Sequence, residues 1–144
     1  MEELDIDALM KALNNDENKG LLKLNPSDIK TIKNDVLQQA GISGEQLKDY
    51  HKKLKTYRFV DELDDIKFGS YIRWINLTNP ESIKLCNGGI VVSMSMSNDD
   101  ICLMCRNNRN RLFKLKMNNV MIFQKMTHSE LLLLQVMGYL NKDN

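Results

Sequence analysis

The chain alternates between two periods of hydrophobic spacing, and the change from one to the other divides it. Residues 4–14 place Ile6, Leu9, Met10 and Leu13 at i, i+3, i+4 and i+7, the spacing of a short amphipathic helix whose acidic start suits the positive end of its dipole. A polar stretch from Asn14 to Lys23 then reads as a linker, so this helix is expected to be mobile or to dock elsewhere. Asn25, Pro26 and Asp28 mark a second helix running to about Ala40, with an apolar stripe of Ile29, Ile32, Val36, Leu37 and Ala40. Gly41 followed by Ile42 suits a left-handed C-terminal cap. Ser43 and Gln46 then form a capping box for a third helix whose stripe is Leu47, Tyr50, Leu54 and Tyr57. Together these predict an N-terminal helical hairpin.

From Phe68 to Lys125 the period falls to two. Five strands are predicted: Tyr71–Leu77, Ile90–Met96, Ile101–Arg106, Arg111–Met117 and Val120–Gln124, separated by Gly, Asn and Asp turns. In the second, Ile90, Val92, Met94 and Met96 alternate with Val91, Ser93 and Ser95, and the apolar set is read as the core face. Loops this short leave no room for crossover helices, so the strands must form an antiparallel meander, and five such strands are expected to curl into an SH3-like or Tudor-like small β-barrel, with the five-stranded oligonucleotide-binding barrel second because no helix separates strands three and four. A final capping box, Thr127-His128-Ser129-Glu130, opens a helix with Leu131, Leu132, Leu133, Leu134, Val136, Met137, Tyr139 and Leu140. It is apolar on too many sides for a lone surface helix, so Leu131, Leu134, Met137 and Tyr139 are candidates for an interface within the chain or with a protein partner or second copy. The reading is α+β: a helical region at 1–60, the barrel at 61–126, and a C-terminal helix at 127–144.

Composition narrows the chemistry. With 144 residues, 42% of them hydrophobic, the chain can build one modest core. Its longest C-terminal apolar run is far short of the roughly 20 residues of a membrane span, and the acidic start is unlike a signal peptide, which implies an intracellular protein with no membrane partner. Three cysteines fit reduced thiols better than a disulfide framework. The net charge of +1 conceals a division: residues 1–67 carry 11 basic and 14 acidic groups, residues 68–144 carry 9 and 5. From Ile101 to Ser129 no residue is acidic, against Arg106, Arg109, Arg111, Lys114, Lys116 and Lys125, which makes this the expected contact for an anionic partner. Arg73 and Trp74 add a cation and a stacking ring, so DNA or RNA is the alternative to a protein ligand.

Other constellations carry less. Cys102 and Cys105 have the spacing of half a zinc site, but an odd separation along a strand sends the thiols to opposite faces. Asp61-Glu62-Leu63-Asp64-Asp65 lacks a second acidic cluster to complete a hard-metal site and reads as a solvated turn. The helical hairpin suggests a helix-turn-helix, yet its third helix shows Lys48, Lys52, Lys53 and Lys55 beside Glu45 and Asp49 rather than grouped Arg, Asn or Gln. No nucleophile motif, phosphate-binding Gly loop or His-Glu-x-x-His is present, so no enzyme and no cofactor is expected.

Sixteen asparagines with abundant Lys and Ile suggest an AT-rich coding genome. The segment Asp65-Ile66-Lys67-Phe68-Gly69-Ser70-Tyr71-Ile72-Arg73-Trp74, with Gly88-Gly89-Ile90-Val91 and Ile122-Phe123-Gln124-Lys125, resembles small uncharacterised proteins encoded by giant DNA viruses of the nucleocytoplasmic group. That resemblance, over about residues 60–126, implies a viral, non-catalytic interaction or virion assembly role in the host cytoplasm or the particle. It brings no functional residues with it.

Overall fold

The computed structural model describes residues 6–14 and 26–142. The first helix, α1 (Ile6–Asn14), lies against the C-terminal helix, with Ile6 and Met10 exposed; the side chains of Leu9 and Leu13 lie outside the described residues. Helix α2 (Pro26–Gln39) turns its buried face inward through Ile29, Lys33 and Leu37, four residues apart. It ends as the sequence requires. Gly41 has φ of +87°, the Ile42 N–H donates to the Leu37 carbonyl at 3.1 Å, and the Gly41 N–H donates to that of Gln38 at 3.0 Å. This pair of bonds satisfies two orphan carbonyls and brings Ile42 down onto Leu37.

Helix α3 (Gly44–Lys53) differs from its expected form at both ends. Ser43 stands at the cap in an extended conformation without a side-chain cap bond, and Gln46 donates to the Tyr50 hydroxyl instead at 3.1 Å. The helix stops at Lys53, four residues short of Tyr57. Leu54 closes it, and Tyr57, expected on its buried stripe, opens a strand. The sheet therefore has six strands rather than five: β1 (Tyr57–Val60), β2 (Tyr71–Asn76), β3 (Gly89–Ser97), β4 (Asp100–Arg106), β5 (Leu112–Lys116) and β6 (Val120–Lys125).

All neighbours are antiparallel, in the order β1-β6-β2-β3-β4-β5. A closed barrel is not formed. The extra strand β1 takes the free side of β6, and β1 and β5 remain the two edges. The boundary expected at residue 60 thus falls inside the sheet.

One face of the sheet is core throughout, and the other is covered by helices only over β1, β6 and β2. The first carries Val60, Ile72, Val91, Leu103, Cys105, Leu115 and Ile122, the core of the curled sheet itself. The other packs Tyr57, Ile75 and Phe123 against Leu37, Ile42, Tyr50 and Leu54 of the helical hairpin. Strand β3 departs from simple alternation. A bulge between Val91 and Ser93 makes Val91 and Met94 the inward residues, three apart, and leaves Ile90, Val92 and Met96 exposed. The inserted residue breaks the two-residue period, so the face expected in the core lies largely in solvent.

The turns have separate causes. Asn98 and Asp99 both take positive φ, 50° and 66°, which gives the two-residue β3–β4 hairpin the twist its strands need. Gly88 and Gly89, expected to make a tight turn, have ordinary φ. They are glycines because side chains crowd them: a Cβ on Gly88 would strike the Tyr71 ring, and one on Gly89 would sit 2.9 Å from Phe113 Cζ.

The last helix, α4 (His128–Lys142), packs on α1 and α2, and Leu133 and Leu134 join Ile29 and Met126 in a third cluster. Leu134 is therefore an intrachain contact, Leu131 is partly exposed and Met137 half-buried. The side chain of Tyr139 lies outside the described residues. Among the described residues no helix is long and apolar enough to cross a membrane. Replacing Leu134 by Asp should destabilise the monomer by about 3–5 kcal/mol in urea denaturation, since a cavity and a buried charge are created together. A variant as stable as the parent would detach α4 from the core.

Candidate functional site

The basic residues singled out from the sequence gather on one hairpin. Register fixes their placement: Cys105 pairs with Phe113 and Leu103 with Leu115 on the core face, so Arg106 with Leu112, Met104 with Lys114, and Cys102 with Lys116 lie on the outer face. Arg106, Lys114 and Lys116 are exposed there. Arg109 and Arg111 occupy the β4–β5 loop, where Asn107 Oδ1 accepts from both of their backbone N–H groups at 2.9 and 3.0 Å. With Asn110 at φ 65° this fixes the loop and leaves both guanidinium groups exposed. Among the described residues none of these five cations has a carboxylate at ion-pair distance.

The outer face is not purely polar. Across the three strands Ile90 pairs with Arg106 and Arg106 with Leu112, so one row runs apolar, cationic, apolar, with Ile90 43% and Leu112 58% exposed. Among the described residues strand β5 has β4 on one side and no strand on the other, so its outer backbone groups stay unpaired within the sheet.

Trp74 does not join this surface, whereas Arg73, two residues along β2 from Tyr71, which pairs with Ile90, lies on the same face of the sheet. Arg73 and Trp74 point to opposite faces of β2. Trp74 packs on the inner core with its ring 5.1 Å from that of Phe113, and half-buried Arg73 donates from Nε to the Cys86 carbonyl at 3.2 Å. The stacking platform expected beside the cations is thus on the far side of the sheet.

A second polar constellation escaped sequence reading. Arg58, the arginine that precedes the barrel segment, is 4% exposed, and Glu130 is 1% exposed. Arg58 Nε lies 3.4 Å from Glu130 Oε2, Lys67 Nζ lies 3.3 Å from Glu130 Oε1, and Arg58 Nη2 is 4.0 Å from Asp65 Oδ1. Two cations face two carboxylates. Gln124, opposite both Arg58 and Ile72 in the ladder, donates to the Asp65 carbonyl at 2.9 Å and accepts from the Lys67 N–H at 2.9 Å. Ser70 donates to the Lys67 carbonyl and sits 3.2 Å from Gln124 Oε1. Glu130 also completes its capping box, accepting from the Thr127 N–H while its own N–H donates to Thr127 Oγ1, both at 3.1 Å. The signal available in sequence was Arg58 itself, a lone cation in the apolar run Tyr57-Arg58-Phe59-Val60. Asp65 of the acidic turn is drawn to this cluster, whereas Asp61, Glu62 and Asp64 stay exposed.

Arg58 Nε and Glu130 Oε2 have no hydrogen-bond partner among the described residues, and their burial shields them from any substrate. No group of three His, Cys, Asp or Glu among the described residues could hold a metal ion. Cys102 and Cys105 are both buried, and burial pushes the Cys105 thiol up to about 11. Cys86 is half-buried, and its thiol is likewise raised by burial, with Arg73 opposing. No family model, no curated protein and no solved structure matches the chain.

Two outcomes follow. Glu130→Ala should cost about 3–5 kcal/mol, because Arg58 and Lys67 lose their shared anion, and adding Arg58→Met should recover part of that loss in a double-mutant cycle by urea denaturation. In the native protein at pH 8 a thiol reagent should modify Cys86 ahead of Cys105, whose protonated, buried thiol reacts only after unfolding; mass mapping of the labelled peptides checks the order.

Proposed function

We propose that the protein is a non-catalytic interaction module that binds a protein partner through the outer face of β3, β4 and β5. The observation that carries this reading is the row Ile90, Arg106, Leu112, in which two exposed aliphatic side chains flank an unpaired cation. Burial of Ile90 and Leu112 against a partner supplies the apolar contact, and an acidic residue between them pairs with Arg106. The open edge of β5 offers backbone donors and acceptors to an added strand beside the same row. The pairing of β2 with β6, first strand of the meander with last, supports an SH3-like or Tudor-like reading of the five strands, with β1 added outside them. The resemblance of residues 60–126 to giant-virus proteins supports an assembly role in the host cytoplasm or the particle.

A nucleic-acid ligand is the second reading, favoured by the five cations free of carboxylates. Against it stands the position of Trp74, which cannot stack on a base held at the outer face. The two readings respond to different substitutions. If a protein is the partner, material captured from cells by the tagged chain should survive nuclease treatment and be lost with Leu112→Asp. If nucleic acid is the ligand, a single-stranded oligonucleotide should bind with steeply salt-dependent affinity, lose it with Arg109→Glu and Arg111→Glu together, and be indifferent to Leu112→Ser.

A further inference from the structure

A large concavity lies away from the β4–β5 hairpin, where α2, α3, the end of β6 and the start of α4 meet. It encloses about 510 Å³. Its apolar lining comes from Ile29, Met126, Leu131 and Leu134, of which Leu131 is partly exposed. Its basic lining comes from Lys30 and Lys33 on α2 and from His51, Lys52 and Lys55 at the end of α3. No carboxylate is among its described lining residues.

The cations are not committed elsewhere. Lys53 pairs with Asp49, but among the described residues Lys30, Lys52 and Lys55 have no carboxylate at ion-pair distance. Lys33 is 6% exposed and donates one of its three hydrogens to the Leu54 carbonyl at 2.9 Å; no other acceptor for it lies among the described residues. Burial, with the charge of Lys30, lowers the Lys33 ammonium from its ordinary value, so like charges are crowded here without compensation. His51, held by Asn34 Oδ1 at 2.9 Å, is lowered by burial and by the charges of Lys33 and Lys30.

We infer that this groove binds a small anionic amphiphile, its apolar chain on Ile29, Met126, Leu131 and Leu134 and its carboxylate or phosphate head among Lys30, Lys33, Lys52 and Lys55. The volume lies in the range of pockets that hold one small molecule, and the lining pairs an apolar surface with convergent charge of a single sign. A neutral chain would leave the cations uncompensated, and a simple inorganic anion would leave the apolar surface wet. Both halves of the ligand are therefore required. This assignment is independent of the β3–β4–β5 surface.

Decanoate and decyl phosphate are the probes for the two head groups, with decanol as the neutral control, titrated into the full chain by calorimetry. At least one anion should saturate at one site and decanol should bind about tenfold more weakly or not at all. Lys30→Glu with Lys52→Glu, both exposed and outside any core, should weaken the anion about tenfold or more without moving the melting temperature, and Leu131→Asp should weaken it as well. Equal binding of decanol, or affinity unchanged by the charge reversal, overturns the proposal. So does saturation by an amphipathic Glu/Leu peptide with no response to either anion, which gives the groove to a protein segment. A dimer abolished by Leu131→Asp, again with neither anion bound, gives it to a second copy and overturns the proposal equally.

Discussion

Arg58 and Glu130 fix the relation between the sheet and the last helix. A guanidinium and a carboxylate removed from water each cost several kcal/mol, and they are tolerated because each meets the other and because Lys67 and Asp65 complete a neutral set. The set draws on four separate places in the chain: β1, the short turn before β2, β6 through Gln124, and the first turn of α4. None of these can shift without exposing another member to an unpaired burial. The inner core, which ends at Ile72 and Ile122 beside Gln124, is sealed by polar side chains whose partners are specified. Such a cluster adds little to stability over an apolar plug, but it selects one arrangement of its four contributors.

The same economy governs the helices. Burying Lys33 between Ile29 and Leu37 places a charge on the inner face of α2, and its ammonium is held by the carbonyl of Leu54, where α3 ends. Lysine at a helix C-terminus meets carbonyls that have no partner in the helix, so the contact gives the Leu54 carbonyl a donor and uses one of the three ammonium hydrogens. It also stops α3 at the position that lets Tyr57 begin β1. The helical hairpin and the sheet are thus coupled through one polar contact as well as through Leu37, Tyr50, Leu54 and Phe123.

Two surfaces separate the remaining charges by environment. On the β4–β5 hairpin the cations stand on an exposed sheet face, interleaved with aliphatic side chains and next to an open edge. Around the helical groove they line a concavity with an apolar interior. The first geometry suits an extended surface such as another protein, the second a compact molecule with one charged end. Sequence alone grouped the hairpin cations because they are close in the chain and no acid interrupts them. The groove lysines belong to two helices and look there like ordinary solvated faces.

What the sequence decided by itself was local. Pro26, the Gly41-Ile42 cap, the Thr127–Glu130 capping box, the Asn98-Asp99 turn and the alternation of Phe113 and Leu115 with Lys114 and Lys116 are each set by neighbours within a few residues, and each is present. What only the tertiary structure decided depended on distant partners. Tyr57 satisfies a helical stripe and a strand equally well, and it became strand because β6 had a free side to pair with. The bulge at Val91–Ser93 reversed the face of β3 on its N-terminal side, turning Val91 inward and Ile90 outward while Met94 kept the expected face, which no period-two pattern can announce. Trp74 went to the core because Phe113 waited there, and Arg58 could be buried because Glu130, 72 positions later, came with it. Propensity and capping act through bonds between near neighbours, whereas burial, pairing and charge compensation act through space, so the chain could write the first and only the folded molecule the second.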